Sequence, residues 1–118
     1  MKKIKLLSFG SLDISDLKKT DIKNNFFISI EFDIGKNIKE GQDTFMFFLS
    51  DIGGLEKYLE NEFKHNESIV LNNIIVVKEY SYEFILNYLD LNITSKLKEL
   101  SEKDIWKYLN LNYLYIDD

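Results

Sequence analysis

Residues 26–49, FFISIEFDIGKNIKEGQDTFMFFL, decide how this chain folds. The first half alternates: Phe26, Ile28, Ile30, Phe32 and Ile34 share one face of an extended strand, and Phe27, Ser29, Glu31 and Asp33 share the other. After the loop GKNIKEG, residues 44–49 return with Phe45, Phe47 and Leu49 on the first face and Met46 and Phe48 opposite. The loop is long for a hairpin, has a glycine near each end, and reads as an exposed tip. A two-stranded ribbon in water needs only one apolar face, and this one has large apolar side chains on both. Phe27, Met46 and Phe48, bordered by Glu31 and Asp33, therefore need a cover, either another element of the chain or a partner.

Outward from that hairpin, residues 4–7 read as a short first strand and SLDISDLKKTDIKNN as a polar, acidic connection. On the other side a helix is expected over 54–64, capped by Asp51, with Leu55, Tyr58, Leu59 and Phe63 at helical spacing. IIVVKEY (74–80) is apolar on both faces, the pattern of a central strand. Ser81 then caps a helix striped by Phe84, Ile85, Tyr88 and Leu89. SEKDIWKYL opens on a capping-box-like Ser101/Asp104 pair and carries Trp106 and Leu109, and LNYLYI (111–116) reads as a closing strand. Together these predict one α+β domain over 1–118, an antiparallel β-sheet with helices packed mainly on one face.

Composition narrows the function. A chain of 118 residues has the length of one domain and buries enough surface to need no metal or disulfide staple. The sequence has no cysteine, which removes thiolate metal sites and disulfides and fits a reducing cytosol. The start MKKIKLLSFG resembles a secretion signal, but its apolar run is too short, and no stretch has the length of a membrane span. A cytoplasmic location and no membrane association are expected. Lysine supplies all the basic side chains outside the single His65, so no guanidinium fork is present to clamp a phosphate. A net charge of −5 argues against nucleic acid and favours a basic partner.

No catalytic constellation emerges, so the chain is not expected to be an enzyme. His65 lies among charges in KHNE with no orienting partner in sequence. Neither glycine pair fits a phosphate loop: Gly35 and Gly41 read as turn residues, Gly53 and Gly54 as a strand-to-helix turn. Asp13, Asp16 and Asp21 do not have calcium-loop spacing, and no metal or cofactor is expected. Tyr80, Trp106, Tyr113 and Tyr115 permit one alternative: a non-enzymatic ligand-binding or regulatory module with an aromatic pocket.

The whole chain resembles the immunity protein 8 family of bacterial polymorphic-toxin systems. The resemblance is carried by DISDL (13–17) with Asp21, the strand ending in Ile34-Gly35, and the charged loop ending in Glu40-Gly41. DTFMFFLS (43–50), IVVKEYSYEFI and the DIW…LYIDD ending complete it. The chain departs from the family's pattern in having no proline, with DIGG replacing a Pro-Lys-Trp-like lead into the first helix. The resemblance implies a cognate immunity protein that binds the toxic C-terminal domain of a polymorphic or contact-dependent growth inhibition toxin. Acidic groups would then meet a cleft built for phosphates, as in a nuclease toxin. The candidate toxin-binding residues are Glu31, Asp33, Glu40 and Asp43 on the hairpin with Phe48 as apolar anchor, and Glu60, Glu62 and Glu67 at the end of the first helix.

Overall fold

The two alternating runs fold as strands β2 (Phe27–Gly35) and β3 (Asp43–Ser50), paired antiparallel from Phe27↔Ser50 to Ile34↔Asp43. The computed structural model describes residues 4–37 and 39–116, so Met1–Lys3, Ile38 of the hairpin loop, and Asp117 and Asp118 of the quoted ending lie outside it. The first face of the hairpin is the core: Ile30, Phe32, Ile34 and Leu49 are fully buried, and Phe45 and Phe47 nearly so. Burying each such side chain contributes roughly 1.5–3 kcal/mol, which makes the hairpin the nucleus of the fold.

Strand β1 (Lys5–Gly10) pairs antiparallel with the outer edge of β2 and contains a bulge. Leu6 sits opposite Ile34, yet Ser8 sits opposite Asp33, so Leu7 is an extra residue. That insertion rephases the strand. Without it Ser8 would face the core; with it Phe9 faces the core, stacked 6.2 Å from Tyr82, and Ser8 emerges on the opposite face.

The other edge of β3 is shared by two short strands. Strand β4 (Ile74–Val76) runs parallel to Phe48–Ser50, and β5 (Leu114–Ile116) runs antiparallel to Thr44–Met46. The α+β reading holds, with one parallel pair among the antiparallel ones. The central-strand reading of 74–80 does not: the strand is three residues long and peripheral, and Val77 and Tyr80 leave it to pack against the core from outside. The closing strand is also shorter than expected, because helix α4 (Glu102–Asn112) continues through Leu111 and Asn112.

Helices cover the core face. Ser81 caps α2 (Tyr82–Leu89) by accepting from the Phe84 amide, and Ile85 and Leu89 point inward. The chain then widens into a π turn (Asp90–Thr94) and continues as α3 (Ser95–Glu99). A π turn leaves carbonyls out of the regular ladder. Here the Tyr88 carbonyl accepts from the Asn92 amide side chain and the Asn92 carbonyl accepts from the Tyr108 hydroxyl, both at 2.9 Å. Ser101 caps α4, which turns Ile105 and Leu109 into the core and stacks Trp106 against Phe45.

Candidate functional site

The second face of the hairpin is covered at one end and open at the other. Helix α1 (Ile52–Phe63) covers the first end, where Phe27 stacks on Tyr58 at 4.4 Å with the rings 7° from parallel and tilts against Phe48 at 5.3 Å. The helix lies this close because Gly54 has no side chain: a Cβ there would sit 1.7 Å from the Phe26 carbonyl oxygen. Asp51 fixes the helix start. Its carboxylate accepts from the Gly54 amide (2.7 Å) as an N-cap and also from the Asn25 and Phe26 amides (2.7 and 3.1 Å). DIGG is thus a clamp between helix and strand, and only its capping role was legible in the sequence.

Beyond Phe48 the helix no longer covers the face; Leu12 and Asp13 close over Ser29, and the surface past it is open. Ser29, the first residue past the helix, is buried: its amide donates to Asp13 Oδ2 (2.8 Å), and its hydroxyl accepts from the Leu12 amide (3.0 Å) and donates to Glu31 Oε2 (3.2 Å). Asp33 is held from both sides. Ser8 Oγ on β1 donates to Asp33 Oδ2 and Thr44 Oγ1 on β3 donates to Asp33 Oδ1, each at 2.6 Å. A groove of about 510 Å³ runs past Ser8, Gly10, Glu31, Asp33, Thr44 and Ile116. Met46 lies opposite Glu31, and Leu114 lies beside Met46 on the same face. Burial raises the Glu31 carboxyl above its ordinary range, the Ser29 and Leu12 hydrogen bonds oppose this, and the charges of Asp13 and Asp33 add to it. Among the described residues neither Glu31 nor Asp33 has an ion-pair partner.

The other candidate residues fall elsewhere. Asp43 pairs with Ile34, so it lies on the helix side of the sheet, where its carboxylate accepts from the Tyr115 hydroxyl at 2.9 Å. Glu40 is engaged within its own loop, by Asn37 Nδ2 at 2.6 Å and Lys36 Nζ at 3.8 Å. Glu60 and Glu67 are exposed and Glu62 half-buried, on α1 and just after it. Phe48 is half-buried, with its ring against Phe27. The hairpin acids therefore split, two on the open face and two around the loop. The bulge at Leu7, which places Ser8 over Asp33, has no simple sequence signal; Thr44 could have been found from the hairpin register.

Of the four aromatic residues of the pocket reading, Trp106 and Tyr115 both pack on Phe45, while Tyr80 and Tyr113 lie elsewhere. Tyr113 is buried edge-on to Phe32, with its hydroxyl 2.7 Å from that of Tyr88. Tyr80 packs on Phe26 and donates to the Leu17 carbonyl, Trp106 stacks on Phe45, and Tyr115 stands half-exposed by Asp43. The acidic connection is likewise dispersed, with Asp13 on the Ser29 amide and Asp16 on the Lys18 and Lys19 amides. Among the described residues no three His, Asp or Glu side chains are grouped to hold a metal, and no helix is long and apolar enough to cross a membrane.

The family model for immunity protein 8 matches residues 2–113. Comparison with curated proteins and with solved structures gives no match. The family match covers nearly the whole chain, from β1 to the end of α4, and on that basis the chain belongs to the immunity protein 8 family.

Proposed function

We propose that this protein neutralises a toxin by binding it stoichiometrically, with no chemistry of its own. The partner is the toxic C-terminal domain of a polymorphic or contact-dependent growth inhibition toxin, met in the cytoplasm of the producing cell. Membership of the immunity protein 8 family carries this reading. The geometry supports it with surfaces suited to occlusion: an open, acid-bearing sheet face and, as a second candidate, Glu60, Glu62 and Glu67 around the end of α1. A net charge of −5 favours a cationic target and faster encounter with it. A nuclease, whose cleft is built for phosphates, is the toxin class such surfaces suit best. A cell is harmed by the few toxin molecules left free, so slow dissociation is expected, and nuclease–immunity pairs can reach Kd values of about 10⁻¹³–10⁻¹⁶ M.

The test is to express the toxin domain encoded immediately upstream, with and without this protein, and to record growth and co-elution on a sizing column. Rescue together with an equimolar complex is the expected result. Growth arrest that this protein does not relieve, with no complex, refutes the proposal.

A further inference from the structure

Resting on the immunity reading, we propose that the open half of the outer sheet face is the docking surface, and that the toxin seats a lysine or arginine side chain on Asp33 there. Among the described residues, α1 covers the face as far as Phe48, and Leu12 and Asp13 cover Ser29 and border Glu31; beyond them Leu114 is 42% exposed while Met46 and Ile116 are half-buried. Charge selects the occupant. Glu31 and Asp33 lie two residues apart on the same side of β2, partly desolvated, with no cation of this chain paired to either among the described residues. Two like charges set in a half-buried face repel one another until a positive group is supplied.

The remaining hairpin acids are placed differently: Glu40 is ion-paired with Lys36 in the loop, and Asp43, opposite Ile34, lies on the other side of the sheet. Asp33 differs in kind. Ser8 and Thr44 hold its carboxylate from the two neighbouring strands, so its orientation is set before a partner arrives and little side-chain freedom remains to be lost on binding. Each of its oxygens accepts one bond and keeps further accepting capacity. Met46, Leu114 and Ile116 border it with apolar surface that would exclude water around the ion pair. The same negative face repels nucleic acid, so the occupant is a basic protein surface.

The experiment measures binding of the purified upstream toxin domain to the wild-type chain and to Asp33→Lys, Leu114→Lys, Glu67→Lys as the test of the second candidate surface, and Glu79→Lys as control. Leu114→Lys guards against misfolding, because Leu114 is partly exposed at the rim and its replacement leaves the Ser8–Asp33–Thr44 bonds in place. The expected result is a loss of about 100-fold or more for Asp33→Lys and at least about tenfold for Leu114→Lys, with the control Glu79→Lys, at an exposed position in neither candidate surface, within about threefold of wild type. If the wild type binds and both face variants bind equally well, or if Glu67→Lys alone weakens binding, the docking face is wrong while the immunity reading stands. If the wild type captures no toxin domain, the immunity reading fails and this inference with it.

Discussion

Replacing Gly54 by alanine should destabilise this protein, against the ordinary preference of helices. Inside an exposed helix the change gains about 1 kcal/mol, because alanine is the better helix former. At Gly54 the new methyl would lie 1.7 Å from the Phe26 carbonyl oxygen and 2.4 Å from its carbon, backbone atoms just ahead of the Phe27↔Ser50 pair, and that carbonyl accepts from the Asp51 amide at 3.3 Å. Reaching ordinary contact requires α1 to rise from the sheet by roughly 1.5 Å, the gap between this overlap and normal van der Waals separation.

That displacement strains three interactions. The 2.7 Å cap from the Gly54 amide to Asp51 is worth about 1 kcal/mol. The Phe27–Tyr58 stack at 4.4 Å is worth about 0.5–1.5 kcal/mol beyond its buried area. The Asp51 bonds to the Asn25 and Phe26 amides, charge-assisted, are worth about 1.5–3 kcal/mol each if lost. With partial loss of these and the propensity gain subtracted, the net cost is about 2–4 kcal/mol, a drop in Tm on the order of 10 °C or more for a domain this size. Urea and thermal unfolding followed by circular dichroism provide the assay. Gly53→Ala is the control, because its Cβ would meet Asn25 Oδ1, the movable end of a side chain, and should stay within about 1 kcal/mol of wild type. Equal or greater stability for Gly54→Ala would refute the close approach of α1 to β2.

Asp51→Ala removes the cap and leaves the Asn25 and Phe26 amides without their acceptor, and should cost about 3–4 kcal/mol by urea unfolding, more than an isolated N-cap loses. Glu31 has its folded pKa raised above the ordinary 4.5, so its charged form is disfavoured by folding. Its penalty is absent below the unfolded pKa and grows as pH rises through the folded one. Glu31→Gln should therefore raise Tm at pH 7, and a Tm–pH series should show that gain vanish at pH values below 4.5. Burial raises the Tyr113 hydroxyl far above the usual tyrosine range, with the Tyr88 hydroxyl contributing. Its stabilisation is intact below pH 10 and declines as pH climbs above it, so spectroscopic titration should show Tyr113 ionising together with alkaline unfolding rather than before it.

The hairpin was legible because a period of two fixes which side chains meet the core, and every residue assigned to that face is buried. The caps at Asp51, Ser81 and Ser101 were legible for a similarly local reason: a short oxygen-bearing side chain ahead of an amphipathic stripe satisfies amides that the helix cannot. Residues 74–80 misled because an apolar run does not show that strands flank it, and Val76 is in fact 46% exposed at the sheet edge. Ile75, Val77 and Tyr80 meet the core as a strand end and a loop. The bulge and the π turn were hidden because each inserts a single residue whose acceptance depends on partners distant in sequence, β2 for Leu7 and Tyr108 for Asn92. Of the site, the carboxylates could be named from sequence, but which of them share a surface depended on the strand register and on the position of α1.

The division of the outer face follows from how the chain meets it. Only one helix reaches that side, and it can do so only where Gly54 and the Asp51 clamp let it rest against backbone. Along the rest of the hairpin the free edge of β3 is filled by two three-residue strands, and the chain goes from β4 towards α2 and comes into β5 from α4, both on the other side of the sheet. Among the described residues, Glu31 is met on this side by Ser29 and Leu12, and Asp33 by Ser8 and Thr44. A fully apolar surface left there would favour self-association; two carboxylates backed by hydroxyls keep it hydrated, as the proposed docking of a cationic toxin surface requires. The side-chain pattern that marks the second face as needing a cover in the sequence thus resolves into two covers of different kinds. One is intramolecular and built on a missing side chain; the other, on the proposed reading, is a toxin surface selected by charge.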